Sequence, residues 1–244
     1  MSIPIARVLN RLDEYLARKD YAAAERHLDY WMAEAEMTSD KRGMLSMANE
    51  QIGLYRKMNI KERSLKACDT AITLADEMRL DESITMGTTL INAATAYKAF
   101  GDAERALPLY EKAKEIYEAR LESNDRRLGG LYNNMALALK DTEQFERAKD
   151  MFLMALSVIE KIGGGELEMA ITYCNMADLC ACEGKGGAAE CLEKAFGLIS
   201  TPTLSRDGYY AFVCEKCAPT FGYYGLGEYE KELSMRARDI YEGS

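Results

Sequence analysis

The sequence predicts an all-helical protein, an α-solenoid of about six antiparallel helix pairs. Three observations carry this. Two stretches align without a gap at an offset of 42 residues, Leu90-Ile91-Asn92-Ala93-Ala94-Thr95-Ala96-Tyr97 and Tyr132-Asn133-Asn134-Met135-Ala136-Leu137-Ala138-Leu139, and the echo continues where Ala106 matches Ala148 and Ala113 matches Ala155. A period of this length marks a stacked-repeat protein. Alanine, leucine, methionine, glutamate and lysine abound, against four prolines and one tryptophan, and the abundant types are helix formers. No run of alternating β-branched residues appears, so no strand is expected. The hydrophobic share of 48% is enough for a large core and argues against disorder.

Each element follows from the positions of small residues and breaks. Pair one has its first helix, A, near 4–18 and its second, B, near 21–36. Pair two has A near 41–57 and B near 61–77, and pair three has A near 83–99 and B near 103–120. Pair four has A near 126–140 and B near 144–161. Pair five has A near 166–182 and B near 186–199, and pair six has A near 206–223 and B near 227–242. Together they are expected to form one repeat domain over 1–244.

The A–B turns are short and polar: Arg18-Lys19-Asp20, Asn59-Ile60-Lys61, Gly101-Asp102, Asp141-Thr142-Glu143, Gly184-Lys185-Gly186 and Gly225-Leu226-Gly227. Glycine supplies the left-handed geometry that stops a helix, and tight connections force antiparallel packing. Between pairs the expected breaks are Thr38-Ser39-Asp40, Ser123-Asn124-Asp125, Gly163-Gly164-Gly165 and Thr201-Pro202-Thr203. Ser39 or Asp40, and Asn124 or Asp125, are N-cap candidates. Pro108 is tolerable near the start of its helix, whereas Pro219 should kink the last A helix.

The pattern Leu90-x2-Ala93-Ala94-x2-Tyr97, then Ala106-x3-Tyr110-x2-Ala113, resembles the tetratricopeptide repeat. The usual repeat is about 34 residues; here the spacing of 40 to 42 is similar to the longer kinesin-light-chain-like variant. Leu90, Tyr132 and Tyr173 stand where the family carries a tryptophan, and the proline ending the repeat is missing. The resemblance implies a right-handed superhelix whose A helices line a concave face, working as a protein- or peptide-binding scaffold or adaptor. A peptide-sensing regulator that changes curvature on binding is the alternative it implies.

One A-helix position reads Asn10, Glu50, Asn92, Asn134, Asn175 and Lys216 through the six pairs. Asparagine is a mediocre helix former, so its recurrence in mid-helix calls for a reason. A side-chain amide both donates and accepts, and so can pair with the main chain of an extended peptide. The competing reason is a hydrogen bond that fixes the stacking of neighbouring pairs. Asn49 lies one residue before Glu50, so a one-residue adjustment there would restore an unbroken ladder; Asn133, beside Asn134, is counted among the candidate peptide-binding residues. Lys216 ends the row with a cation able to hold a carboxylate. Six residues on, Arg56, Lys98 and Lys140 recur near the ends of three A helices. They either steer an acidic partner or complement the helix dipoles.

Other signals weigh less. Cys180-x-Cys182 and Cys214-x2-Cys217 could hold zinc if they converged, but the spacing is not that of a zinc knuckle; no metal and no cofactor are expected. Gly184-Lys185-Gly186-Gly187 lacks the remaining features of a phosphate loop. His27 is the single histidine and has no nucleophile beside it in the pattern, so no enzyme is expected. The aromatics Tyr209, Tyr210, Phe212, Phe221, Tyr223 and Tyr224 either pack the last pair or form a homodimer face on the terminal repeat. The net charge of −9 disfavours nucleic acid as a partner. No apolar run reaches the ~18 residues that span a bilayer, and charge interrupts the N-terminus too early for a secretory segment. Seven cysteines without a disulfide framework read as reduced thiols in the cytoplasm.

Overall fold

The structure, a computed structural model, describes residues 2–243. Among them are twelve α-helices and no strand, at bounds within two residues of those expected. The chain forms two compact units, residues 1–121 and 122–244. The first unit holds α1 (Ile5–Ala17), α2 (Tyr21–Met37), α3 (Lys41–Lys57), α4 (Lys61–Glu77), α5 (Ile84–Ala99) and α6 (Ala103–Arg120). The second holds α7 (Arg126–Asp141), α8 (Phe145–Ile162), α9 (Glu166–Glu183), α10 (Ala188–Ile199), α11 (Gly208–Tyr223) and α12 (Gly227–Glu242). Odd-numbered helices are the A helices and even-numbered ones the B helices.

Within each unit a helix packs on its hairpin partner, and B helices then pack on the next A helix: α2 on α3 and α4 on α5 in the first unit, α8 on α9 in the second. A helices also touch each other, α3 with α5, α7 with α9 and α9 with α11. Small residues make this approach possible. Ala93, Ala94, Ala106 and Ala113 are fully buried in α5–α6, and Ala136, Ala148 and Ala155 in α7–α8. Gly87 and Gly129 extend the pattern at the same 42-residue offset. A Cβ on Gly87 would lie 2.6 Å from the Tyr117 ring, and one on Gly129 would lie 3.1 Å from Ile159 Cγ1. Each is a notch on an A helix that receives the large residue near the end of its B helix.

Helix ends explain the tight turns. Asp20, Asp40, Ser83, Asp102, Asp125 and Asp207 cap helix N-termini through their side chains. Asp40 and Asp125 are thus the caps from the two candidate pairs. Left-handed residues close the C-termini, and five of them are not glycine: Lys19, Ser39, Asn59, Arg79 and Glu143, with φ between 53° and 59°. The next amide then reaches back to the helix. Asp20 N donates to Tyr15 O, Ile60 N to Tyr55 O, and Gln144 N to Leu139 O at 2.8–2.9 Å. This is the Schellman closure, in which satisfied carbonyls offset the cost of a side chain at positive φ. α6 runs on through Pro108 and α11 through Pro219.

An Asp–Tyr–Arg contact recurs in the first unit. Tyr55, near the end of α3, donates its hydroxyl to Asp29 of α2 at 3.1 Å. Arg63 of α4 stacks on the Tyr55 ring at 4.2 Å and pairs with Asp29 and Glu25. One repeat later Tyr97 donates to Asp69 at 3.4 Å, with Arg105 over its ring at 4.2 Å. Burial, then the Asp69 charge, raises the Tyr97 hydroxyl to about 12, so it stays a donor at neutral pH. These contacts tie each B helix to the following pair.

Candidate functional site

The A helices carry the asparagines, and the structure sorts them into two roles. In the first unit, Asn92 Nδ2 of α5 donates to Asn49 Oδ1 of α3 at 2.8 Å. Asn49 Nδ2 in turn donates to Leu45 O at 3.0 Å and Thr89 Oγ1 at 3.1 Å. In the second unit, Asn175 Nδ2 of α9 donates to Asn133 Oδ1 of α7 at 3.0 Å. Four half-buried amides therefore link neighbouring A helices, with Asn49 rather than Glu50 and Asn133 rather than Asn134 supplying the acceptor.

Asn134 and Asn10 stand outside these bonds. Asn10 is exposed on α1. Asn134 is half-buried, and its side chain makes no hydrogen bond among the described residues. No buried side-chain nitrogen or oxygen lacks a partner among the described residues, so the amide atoms of Asn134 reach solvent. The same holds for Oδ1 of Asn92 and of Asn175. The A helices of the second unit thus present the whole Asn134 amide, the Asn133 amide nitrogen and the Asn175 amide oxygen to solvent.

Glu50 is half-buried on α3 and makes no hydrogen bond or ion pair among the described residues. Burial, then the nearby Asp13 charge, raises its carboxyl above the ordinary range. Arg56, Lys98 and Lys140 lie half-buried in the last turns of α3, α5 and α7, where a cation meets the negative end of the dipole. Lys216 is exposed on α11 with its Nζ 5.9 Å above the Phe212 ring. Phe212 stacks on Tyr209 with ring centroids 6.2 Å apart. The terminal aromatics divide accordingly. Tyr210 and Phe221 are core residues, Tyr224 donates to Asp178 at 3.2 Å, and Tyr209, Phe212 and Tyr223 are exposed.

The four cysteines weighed for zinc are not brought together. Cys214 and Cys217 are buried, Cys180 half-buried and Cys182 exposed. Cys217 meets Cys174, and Cys180 meets Cys191. No group of three or more metal-ligating side chains exists among the described residues. His27 Nε2 lies 2.9 Å from Val8 O and packs at the edge of Trp31, a structural placement. No helix among the described residues is long and apolar enough to cross a membrane.

Spacing held a signal for the Asp–Tyr–Arg contacts that a search for ligand groups passes over. Tyr55 to Arg63 and Tyr97 to Arg105 are both eight residues apart and repeat at 42.

Comparison with known proteins agrees with this geometry. Residues 87–126 and 129–164 match the family model of the tetratricopeptide repeat. No curated protein matches the chain by sequence. Among solved structures, a kinesin-light-chain-type protein of Podosopora anserina with nearly identical TPR-like repeats is similar at 17% identity and a TM-score of 0.60, covering 81% of this chain and 95% of that one. BtubC (BKLC) from P. vanneervenii is similar at 17% identity and a TM-score of 0.62, over 93% of this chain and 91% of that one. NprR in complex with its cognate peptide NprX is similar at 17% identity and a TM-score of 0.65, over 98% of this chain and 68% of that one. Residues 87–126 and 129–164 thus match tetratricopeptide repeats, and the chain has the helical-repeat fold of these solved structures.

Proposed function

We propose that the protein is a protein- or peptide-binding adaptor that holds an extended segment against its A helices, the face that is concave in tetratricopeptide arrays. The observation that carries this is Asn134, a half-buried amide whose donor and acceptor atoms reach solvent unpaired. Such a group recognises the main chain of an extended peptide irrespective of its sequence. In this reading Asn134 and the carbonyl oxygen of Asn175 contact the partner on the second unit, the carbonyl oxygen of Asn92 offers the same group on the first, and Asn49 and Asn133 hold the helices in place. Asn10 is an accessory contact, and Glu50 receives a cationic side chain. Lys216 takes a carboxylate, and Arg56, Lys98 and Lys140 contribute positive potential beside the amides. Residues 1–244 act as one repeat domain, in the cytoplasm, without catalysis. The exposed Tyr209, Phe212 and Tyr223 offer a homodimer face on the terminal pair.

Peptides selected from a phage-displayed random library provide the test. Asn134→Ala should weaken the selected peptides without lowering the melting temperature. Asn133→Ala should lower the melting temperature and leave the affinity of the folded protein intact. Equal binding by wild type and Asn134→Ala would overturn the reading.

A sensor that changes shape on binding is the second reading, and the likeness to NprR bound to its peptide favours it. A shift in small-angle scattering when a selected peptide is added separates the sensor from a rigid adaptor.

A further inference from the structure

We propose that Cys180 and Cys191 form an oxidisable dithiol, which a peroxide converts into a disulfide that fastens the turn between α9 and α10. Cys180 lies in the last turn of α9 and Cys191 in the first turn of α10, at the two ends of one short hairpin connection. Cys191 also lies one helical turn beyond Gly187, on the same side of α10. A separate contact places both at one glycine. Cys180 Sγ lies 3.6 Å from the position a Cβ would take on Gly187, and Cys191 N donates to Gly187 O at 3.2 Å. The connecting residues Gly184, Gly186 and Gly187 all have positive φ. Glycine tolerates the small backbone shift that lets two sulfurs close to bonding distance.

A second thiol pair makes a comparison within the same unit. Cys174 of α9 and Cys217 of α11 also meet, but they are 4% and 1% exposed. Cys180 and Cys191 are both half-buried, open to a small oxidant. Reactivity follows access and thiolate character. Burial, then the neighbouring Cys180, raises the Cys191 thiol to about 11, so Cys191 stays protonated at neutral pH. The Cys180 sulfur attacks one peroxide oxygen, the O–O bond breaks, and a sulfenic acid and one water form. The Cys191 sulfur then attacks the sulfenic sulfur. The S–O bond breaks, and the hydroxide leaves with the Cys191 proton as a second water. Two thiols are oxidised and one peroxide is reduced.

The experiment treats the intact protein with hydrogen peroxide, alkylates the remaining thiols after unfolding, and maps the peptides by fragmentation. The expected product is a Cys180–Cys191 cross-link lighter by two hydrogens, reversed by dithiothreitol, with Cys174 and Cys217 recovered in alkylated form. Cys180→Ser and Cys191→Ser should each lose the cross-link, and Cys174→Ser should keep it. If a variant does not fold, the wild-type map decides alone. A bond from Cys180 to Cys182, sulfinic acid at either site, or free Cys180 and Cys191 after exposed Cys182 has oxidised would each overturn the proposal. None of these outcomes depends on peptide binding.

Discussion

Replacing Asn133 or Asn175 by alanine tests the division of labour among the asparagines. The two side chains share one hydrogen bond of 3.0 Å, and both residues are half-buried. A neutral hydrogen bond of this kind contributes about 0.5–1.5 kcal/mol net. Each single substitution also removes a mediocre helix former in favour of the best one, which returns about 0.5 kcal/mol. Asn133→Ala and Asn175→Ala should therefore each destabilise by up to about 1 kcal/mol. At this chain length that lowers the melting temperature by roughly 2–4 °C. The coupling in a double-mutant cycle is the sharper quantity, because the helix-propensity gains cancel in it. A coupling of about 0.5–1.5 kcal/mol is expected, read by urea unfolding followed by circular dichroism. Asn134→Ala should show no coupling with Asn175→Ala. A Asn133–Asn175 coupling indistinguishable from zero would refute the assignment of this pair to helix stacking.

Three further outcomes follow from other parts of the structure. Glu143 holds φ 59° at a helix end, so Glu143→Gly should stabilise by about 0.5–1 kcal/mol, seen as a higher urea midpoint at unchanged slope; a lower midpoint would contradict the backbone argument. Alanine at Gly87 forces a methyl to 2.6 Å from the buried Tyr117 ring and should destabilise by about 1–2 kcal/mol after the helix-propensity gain, whereas Gly129→Ala brings its methyl only to 3.1 Å from Ile159 Cγ1, a shift of a few tenths of an ångström that the propensity gain offsets, and should be near neutral in the same unfolding assay. Glu50 has its carboxyl raised by burial and by Asp13, so the folded state binds its proton more tightly than the unfolded chain. Stability should fall as pH rises from the unfolded value of 4.5 through the raised one, and Glu50→Gln should flatten that slope; an unchanged slope would refute it.

The helices were legible because their signals are local. Alanine at Ala93, Ala94, Ala106 and Ala113 recurs at the repeat spacing and is buried as that recurrence implies. The turns were legible in place but not in chemistry. Lys19, Arg79 and Glu143 adopt left-handed geometry that their residue types disfavour, because the amide that follows each one closes onto the helix. Register was the least legible feature of the site. A match at 42 residues aligns Asn134 with Asn92 and Asn175 with Asn133, yet only the second pair bonds, and Asn92 bonds instead to Asn49, 43 residues back. Adjacent helix positions differ by about 100° in direction, and both asparagines sit at the border between the buried and open faces. Which one bonds depends on how closely the neighbouring helix approaches, and no period in the sequence encodes that. The cysteine partners were hidden for the same reason, since Cys174 meets Cys217 across 43 residues through the packing of α9 on α11.

The most direct test of the central claim is the affinity of Asn134→Ala for a peptide selected against the wild-type protein, measured by calorimetry beside the melting temperature of both. Loss of one peptide hydrogen bond of about 1.4 kcal/mol predicts roughly tenfold weaker binding at a melting temperature equal to or slightly above that of the wild type. Wild-type affinity in the variant, or a loss of binding matched by a fall in melting temperature, would contradict the account.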